Sequence, residues 1–190
     1  MAMIRIRNER SIDIPARERL LDAALGPARF AKPSERVREG RFASHRLSFV
    51  AIENGRVVGT VRLWNVNAGL GRPALLLGPL AVAADARNRG IGTMLIERAV
   101  REARKLGHRA ILLVGDAPYY SRFGFSAEKT GALRLPGPYE QHRLLGLELR
   151  RGALDGARGP IRASGGRIPE GLPDFLTGAI HAPVPLPLAA

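Results

Sequence analysis

Residues 75–125 read LLLGPLAVAADARNRGIGTMLIERAVREARKLGHRAILLVGDAPYYSRFGF, and this stretch decides the fold. An apolar strand over residues 75–82 precedes a loop with two glycines, which opens a long helix ending near Leu106. A second apolar strand covers residues 110–114. A strand, a helix and a strand within about forty residues predict two parallel strands joined by a right-handed crossover.

The helix of this unit has a single apolar face. Apolar side chains recur at spacings of three and four residues, at Ile91, Met94, Leu95, Ala99, Val100, Ala103 and Leu106. Arg104 and Lys105 fall in its last turn, where cations stabilise the helix dipole, and Gly107 can adopt the left-handed capping conformation. The pattern therefore predicts an amphipathic helix packed on a sheet.

The loop at the start of this helix has the features of an anion site. Gly90 and Gly92 have no side chains, so a ligand can approach the free backbone N–H groups of the first helical turn. Arg87 and Arg89 add positive charge beside them. A pyrophosphate fits this arrangement better than a single carboxylate does. The glycine pair alone is a weak signal, because a tight turn would also explain it.

The surrounding motifs resemble those of the GNAT superfamily of acyl-CoA-dependent N-acetyltransferases. The resemblance rests on the pyrophosphate motif Arg87-x-x-Gly90-x-Gly92, on Leu80-Ala81-Val82 before it, and on Tyr119-Tyr120-x-Arg122-Phe123-Gly124-Phe125 after it. The last motif is similar to that of one bacterial branch, and the likeness covers roughly residues 3–150. A dinucleotide-binding loop matches less well, because G-x-G-x-x-G and an acidic residue at the end of a second strand are missing.

The resemblance implies a fold class and a cosubstrate. The fold would be α/β (α+β), with a mixed central sheet of about six to seven strands and about four helices. A V-shaped splay would separate the two central parallel strands, and the pantetheine arm of acetyl-CoA would lie in it and pair with the backbone. No metal is implied. The expected coenzyme-binding residues are Leu80, Ala81, Val82, Arg87, Asn88, Arg89, Gly90, Ile91, Gly92, Thr93 and Tyr120.

Two catalytic residues follow from the same resemblance. The N–H group of Leu80 is expected to donate to the thioester carbonyl, where negative charge develops, and Tyr120 is expected to protonate the leaving sulfur. Tyr120 could instead pack in the core or only position the sulfur, and Tyr119 is expected in the core. The general base is open between Asp116, Glu53 and a water relay. Asp116 could also simply cap the short helix that follows it.

Composition narrows the reaction class. The chain has no cysteine and no serine–histidine pattern, so direct attack by a neutral amine in a ternary complex is more economical than an acyl-enzyme. The acceptor would be a small-molecule or protein amine. Four scattered histidines form no metal-ligand pattern. No apolar run is long enough for a membrane span or a signal peptide, so we expect a cytoplasmic protein without a membrane partner.

The net charge of +13, from 30 basic and 17 acidic residues, has several explanations. The positive charge could bind nucleic acid or the three phosphates of coenzyme A, or it could belong to a solvated surface rich in arginine. The arginines are spread along the chain and aromatic residues are few, which disfavours nucleic acid as a partner. The alternative function is a noncatalytic module of the same fold that binds nucleic acid or a protein through its basic surface and tail.

The remaining elements follow from local patterns. The chain predicts a strand over residues 3–7, a helix capped by Ser11 or Asp13 and ended by Gly26, a hairpin around Asn54-Gly55, and a last strand over residues 144–149. A proline within a central strand cannot donate to the ladder, so Gly78-Pro79 predicts a bulge or a break in that strand.

Two segments allow more than one interpretation. Residues 27–45 lie over the acceptor site in the superfamily, so Arg29, Phe30, Arg36 and Arg41 could contact the acceptor or could be ordinary surface. Trp64 could be core or a lid. Glycine and proline dominate from Arg151, which predicts an N-acetyltransferase domain over residues 3–150 and a tail or arm over residues 151–190. Phe175, Leu176 and Ile180 could dock that arm on the domain or on the second subunit of a homodimer.

Overall fold

The computed structural model describes residues 3–171. Its strands are β1 (Arg5–Asn8), β2 (Ser48–Glu53), β3 (Arg56–Ala68), β4 (Pro73–Val82), β5 (Ala110–Val114), β6 (Leu133–Arg134), β7 (Leu144–Glu148) and β8 (Gly159–Ala163). Its α-helices are α1 (Ile14–Leu25), α2 (Pro33–Arg38), α3 (Ile91–Lys105) and α4 (Ala117–Tyr120). No helix within these residues is long and apolar enough to cross a membrane.

One mixed sheet organises the molecule. Within residues 3–171 it has eight strands, in the order β1-β2-β3-β4-β5-β7, with β8 paired to β3 and β6. β4 and β5 are parallel, whereas the neighbours from β1 to β4 and the β5–β7 pair are antiparallel. The predicted α/β fold, with parallel central strands joined by α3, is confirmed. The strand number exceeds six to seven because β6 is very short and β8 belongs to the predicted tail.

Helices cover both faces of this sheet. The apolar face of α3 packs on the sheet, and its buried residues are Ile91, Leu95, Ile96, Ala99 and Ala103. Gly59 of β3 permits this contact, because a Cβ there would lie only 2.9 Å from Cγ2 of Ile91. α1 packs on Ala81 of β4, whereas Leu80 and Val82 pack against the core cluster that contains Ile91 and Leu95 of α3. Alternate residues of a strand point to opposite faces, so α1 and α3 lie on opposite sides of the sheet.

The start of α1 differs from the predicted cap. Asp13 precedes the helix, but its carboxylate accepts hydrogen bonds from Arg7, at 2.6 and 2.8 Å, and from the backbone N–H of Arg10, at 2.8 Å. It makes no side-chain cap to α1, and Ser11 lies in a 3₁₀ turn before the helix. The Arg7 hydrogen bond lowers the pKa of Asp13. An ion pair between β1 and this turn therefore replaces the expected cap.

A bulge interrupts β4 at Gly78-Pro79, as predicted. The ladder with β3 shifts register there, since Val61 pairs with Leu80 but Leu63 pairs with Leu77. Two residues of β4 thus stand opposite one residue of β3. The Gly78-Pro79 peptide bond is cis.

Trp64 of β3 stabilises this bulge. Its indole Nε1 donates a 2.6 Å hydrogen bond to the carbonyl of Gly78, at the point where the β3–β4 ladder shifts register. The side chain is only 7% exposed and packs in a core cluster with Leu76 and Leu112. Trp64 is therefore a core residue and not a lid.

A buried ion-pair network joins α1 to the sheet. Arg17 has no exposed surface and contacts Glu9 at 2.7 Å and Glu18 at 2.5 Å. Glu9 also contacts Arg62 of β3 at 3.1 Å, and Glu18 contacts Arg29 at 2.6 Å. Burial lowers the pKa of Arg62 to about 10, so this guanidinium still carries its charge at neutral pH. Each buried carboxylate therefore accepts hydrogen bonds from two arginines.

The chain after residue 150 does not behave as a separate arm where the structure describes it. β8 pairs antiparallel with residues 66–68 of β3 and parallel with β6. Gly69 allows the close approach, because a Cβ there would lie 2.0 Å from the carbonyl oxygen of Arg158. The predicted boundary at residue 150 is thus corrected for residues 151–171, which are part of the domain. Phe175, Leu176 and Ile180 lie outside the described residues.

Candidate active site

A cleft opens where β4 and β5 diverge. Within the described chain, their ladder consists of the pairs Leu75–Ile111 and Leu76–Leu112, and it stops just before the Gly78-Pro79 bulge. Beyond this point the two strands border a cavity of about 500 Å³. The bulge turns β4 away from β5, which produces the predicted splay.

The cavity brings together three of the residues singled out from sequence. Leu80 lines it from β4, Asp116 lines it from the end of β5, and Tyr120 lines it from α4. The fourth, Glu53, is not among the lining residues. Instead it binds Arg89 through two hydrogen bonds of 2.5 and 3.0 Å, and this contact lowers the pKa of the Glu53 carboxyl. We therefore withdraw Glu53 as a candidate base.

The backbone of β4 presents donors to the cleft. Ala83 donates its N–H to Val58 of β3 at 2.9 Å, and the β3–β4 register is regular from Leu80 to Val82. Along a strand, backbone polar groups alternate in direction. The N–H groups of Leu80 and Val82 therefore point away from β3, toward the open side where β5 has separated.

The start of α3 provides further free donors. Gly90 has a φ of 75°, a left-handed conformation that favours glycine, and the first intrahelical bond runs from the N–H of Met94 to the Gly90 carbonyl at 3.0 Å. The N–H groups of Ile91, Gly92 and Thr93 consequently have no acceptor within the helix. This is the anion-binding arrangement that the glycine pair predicts.

The cations near this helix start differ from those expected. The charge of Arg89 is already balanced by Glu53, whereas Arg87 is exposed. Arg122, which follows α4, reaches the same place: its Nη2 donates to Oγ1 of Thr93 at 3.3 Å, and its guanidinium lies 4.2 Å from the Tyr119 ring centroid. The sequence prediction did not include Arg122 among the coenzyme-binding residues, although Arg122 belongs to the motif on which it rests.

Tyr120 is held by aromatic neighbours and by one glycine. Its ring makes edge contacts with Tyr119 at 4.9 Å and with Phe125 at 6.0 Å. A Cβ at Gly115 would lie 2.3 Å from Cε2 of Tyr120, so the ring needs glycine at the end of β5. Burial is the main factor that raises the pKa of Tyr120, to about 12. Tyr120 therefore keeps its proton throughout the neutral range.

The family of the chain follows from its similarity to known proteins. Residues 16–125 match the model of the Acetyltransferase (GNAT) family. The chain belongs to the GNAT family. Among its relatives, the uncharacterized N-acetyltransferase YhbS of Escherichia coli K12 is 30% identical over 158 residues, which cover 82% of this chain and 93% of YhbS.

Solved GNAT structures share the fold. A crystal structure of YhbS from Escherichia coli in complex with CoA has a TM-score of 0.70 and 28% identity, and the match covers 85% of this chain and 89% of that chain. A GNAT family acetyltransferase from Brucella melitensis in complex with acetyl-CoA has a TM-score of 0.57 and 27% identity, covering 80% and 99%. The predicted superfamily and the acetyltransferase class are confirmed.

The GNAT cleft leaves Asp116 available. Its backbone carbonyl accepts the N–H groups of Tyr119 and Tyr120 at 3.1 Å each, but its side chain makes no cap to α4. The carboxylate is exposed and lines the cavity. The alternative that the Asp116 side chain serves as a helix cap is therefore not realised.

Of the residues considered for acceptor contact, Arg29 lines the cavity, but its charge is shared with Glu18 and Asp22. Phe30 lies 4.1 Å beneath the Arg29 guanidinium, and Arg41 donates to the carbonyl of Gly165 at 2.9 Å. Lys32, Glu35, Arg38 and Arg143 also line the cavity, and sequence reasoning did not select them.

Proposed function

We propose that this GNAT protein transfers the acetyl group of acetyl-CoA to a primary amine by direct attack in a ternary complex. The observation that carries the proposal is the cavity between β4 and β5, which Leu80 and Tyr120 line together. A thioester in this cleft would have an inward-facing N–H group on one side and a protonated phenol on the other. The relatives crystallised with CoA and with acetyl-CoA support the choice of cosubstrate.

The diphosphate of the coenzyme would lie at the start of α3. The N–H groups of Ile91, Gly92 and Thr93 supply donors, and Arg122, which contacts Thr93, supplies charge. Arg87 is exposed in the loop before α3 and would add to this charge. Pantetheine would then extend toward the bulge and pair with the N–H groups of Leu80 and Val82.

Residues of the chain and solvent can supply and accept every proton that the chemical step requires. The neutral amine nitrogen forms a bond to the thioester carbon while the C–S bond breaks, and the N–H of Leu80 stabilises the negative charge on the carbonyl oxygen. The departing sulfur takes a proton from the Tyr120 hydroxyl. The attacking nitrogen gives up its proton to Asp116 or to a water relay, and exchange with solvent restores the Tyr120 proton.

Gly92→Ala should weaken acetyl-CoA binding about tenfold or more, because the added methyl group must displace Tyr119 or the first turn of α3, whose N–H groups would hold the diphosphate, and losing a hydrogen bond to a charged group costs roughly 1.5–3 kcal/mol. A Cβ at Gly92 would lie 2.8 Å from the Tyr119 hydroxyl oxygen, and its next neighbour, Cγ2 of Val82, lies at 3.9 Å. The additional change Tyr119→Phe removes the clash and should restore most of the affinity. Titration calorimetry of wild type, single and double variants measures this, and a double variant as weak as Gly92→Ala would contradict the steric explanation.

The dependence of kcat on pH should show no alkaline limb from Tyr120 below about pH 10. Its pKa is raised to about 12, so the acid form is lost only well above that range. The rate should instead rise with pH as the acceptor amine loses its proton, and then reach a plateau. Steady-state rates between pH 6 and 10 measure the profile. A descending limb below pH 10 that disappears in Tyr120→Phe would refute the raised pKa.

The proposed function is tested first by coenzyme binding and then by transfer. Calorimetry with acetyl-CoA should give a saturable isotherm. Release of free CoA thiol, measured across small amines, amino acids, aminoglycosides and peptides with free N-termini or lysines, then identifies the acceptor. A protein that does not bind acetyl-CoA would rule the proposal out.

A further inference from the structure

A buried arginine forms part of the wall of the cleft at the bulge. Arg38, the last residue of α2, is 6% exposed and lines the cavity. Glu35 accepts from its Nε at 2.9 Å and from its Nη2 at 2.5 Å, which fixes the plane of the guanidinium. The remaining Nη1 lies 3.5 Å from the position that a Cβ of Gly78 would occupy. The group is therefore directed at the point where β4 turns away from β5.

The Nη1 group has an unused capacity to donate. Within residues 3–171, the hydrogen bonds of the Arg38 side chain go to Glu35 through Nε and Nη2. A guanidinium is always charged, and its planar fork suits a carboxylate. A charged donor of this kind favours an anionic group on the molecule that enters the cleft.

Other side chains of both positive and negative charge also line the cavity. The charge of Arg29 is already shared with Glu18 and Asp22. Lys32 is exposed at the start of α2. On the β5 side, Nε of Arg143 donates weakly to the carbonyl of Gly115 at 3.4 Å. Asp116 and Glu140 also line the cavity, and both are exposed. The cleft thus offers cations for a carboxylate and a carboxylate for an amine.

We infer that the acceptor is a small amine that also carries a carboxylate close to the amine, as an α-amino acid does. This inference rests on the proposed function and assigns its substrate class. Arg38 Nη1 binds the carboxylate, aided by the charge of Lys32, and the amine faces Leu80 and Asp116. A cavity of about 500 Å³ is in the usual range for small-molecule sites and favours such an acceptor over a folded protein.

The experiment compares matched acceptors. The protein, saturated with acetyl-CoA, is offered each common L-amino acid and the corresponding L-amino acid amide, and the release of CoA thiol gives kcat/KM for each. The α-amine of an amide loses its proton more readily than that of the free acid, so intrinsic reactivity favours the amide. We expect at least one free acid to exceed its amide about tenfold or more, as loss of a hydrogen bond between charged groups would produce.

Variants of α2 assign the preference to Arg38. Arg38→Gln should lower kcat/KM for the preferred acid about tenfold or more, leave its amide nearly unchanged, and leave the Kd of acetyl-CoA unchanged. Arg38→Lys keeps the charge and should retain part of the preference, which provides a test if Arg38→Gln does not fold. Arg36→Gln is the matched control: Arg36 is exposed on the same helix, its Nη1 is directed at Gly137, and it does not line the cavity. This control should keep the full preference.

The outcomes separate the two proposals. Absence of acetyl-CoA binding overturns the proposed function, and the inference with it. Normal acetyl-CoA binding with amides used as well as acids, or with transfer to none of the acids, overturns only the inference. Equal losses for acid and amide in Arg38→Gln would make Arg38 a structural residue. Weaker acetyl-CoA binding in that variant would instead place its free donor on the coenzyme. Either result rejects the assignment.

Discussion

Tyr120→Phe should lower kcat by about a hundredfold or more while changing the Kd of acetyl-CoA by less than about threefold. The ring keeps its place, because Gly115 and the aromatic neighbours hold it through contacts that phenylalanine also makes. Only the hydroxyl is lost, and with it the proton that the departing sulfur needs. Steady-state kinetics with thiol detection gives kcat, and calorimetry gives Kd.

The matched control for this variant is Tyr139→Phe. Tyr139 also lines the cavity, but its hydroxyl accepts a hydrogen bond from the N–H of Leu135 and donates to the carbonyl of Leu133 and to Oε1 of Gln141. Its loss should affect stability more than kcat. If Tyr120→Phe turned over acetyl-CoA at the wild-type rate, Tyr120 would have no part in the mechanism, and the sulfur would leave as a thiolate or take its proton from water.

Arg17→Met should lower the free energy of unfolding by about 3–5 kcal/mol. The variant removes the central member of the buried ion-pair network and leaves Glu9 and Glu18 in a low-dielectric site with one arginine each. Removing one partner of a buried pair is costly because the remaining charge stays desolvated. Denaturant unfolding followed by circular dichroism measures the change.

An exposed ion pair supplies the comparison for Arg17. Arg56 contacts Asp85 at 2.6 Å, with side chains 55% and 63% exposed, so Arg56→Met should change the free energy of unfolding by less than about 1 kcal/mol. Similar small losses in both variants would mean that the buried network is well solvated or that the protein relaxes around the missing charge.

The elements governed by local pattern could be predicted from the sequence. The apolar face of α3 has the helical period, and β5 is an unbroken apolar run, so their bounds were nearly correct. The hairpin at Asn54-Gly55 was also predictable, because both residues have positive φ, 48° and 77°, as a tight turn between strands requires.

The parts that depend on distant contacts could not be predicted. Nothing near Glu53 in the chain reveals its bond to Arg89, and nothing near Gly115 reveals the Tyr120 ring above it. Arg38 is an ordinary helix residue by pattern, and its place beside Gly78 depends on how α2 docks. The prediction of a separate tail is wrong for residues 151–171 for a related reason: β8 is held by backbone pairing, which a composition rich in glycine and proline does not indicate.

β3 is longer than β2, the strand that pairs with its first half. β2 pairs with residues 56–62, and β8, from near the end of the described chain, covers residues 66–68 of the same strand. During synthesis on a ribosome, that part of β3 emerges long before the segment that seals it. A nascent chain must therefore pass through a period in which a bare strand edge can recruit another polypeptide, and the late-made segment ends that exposure.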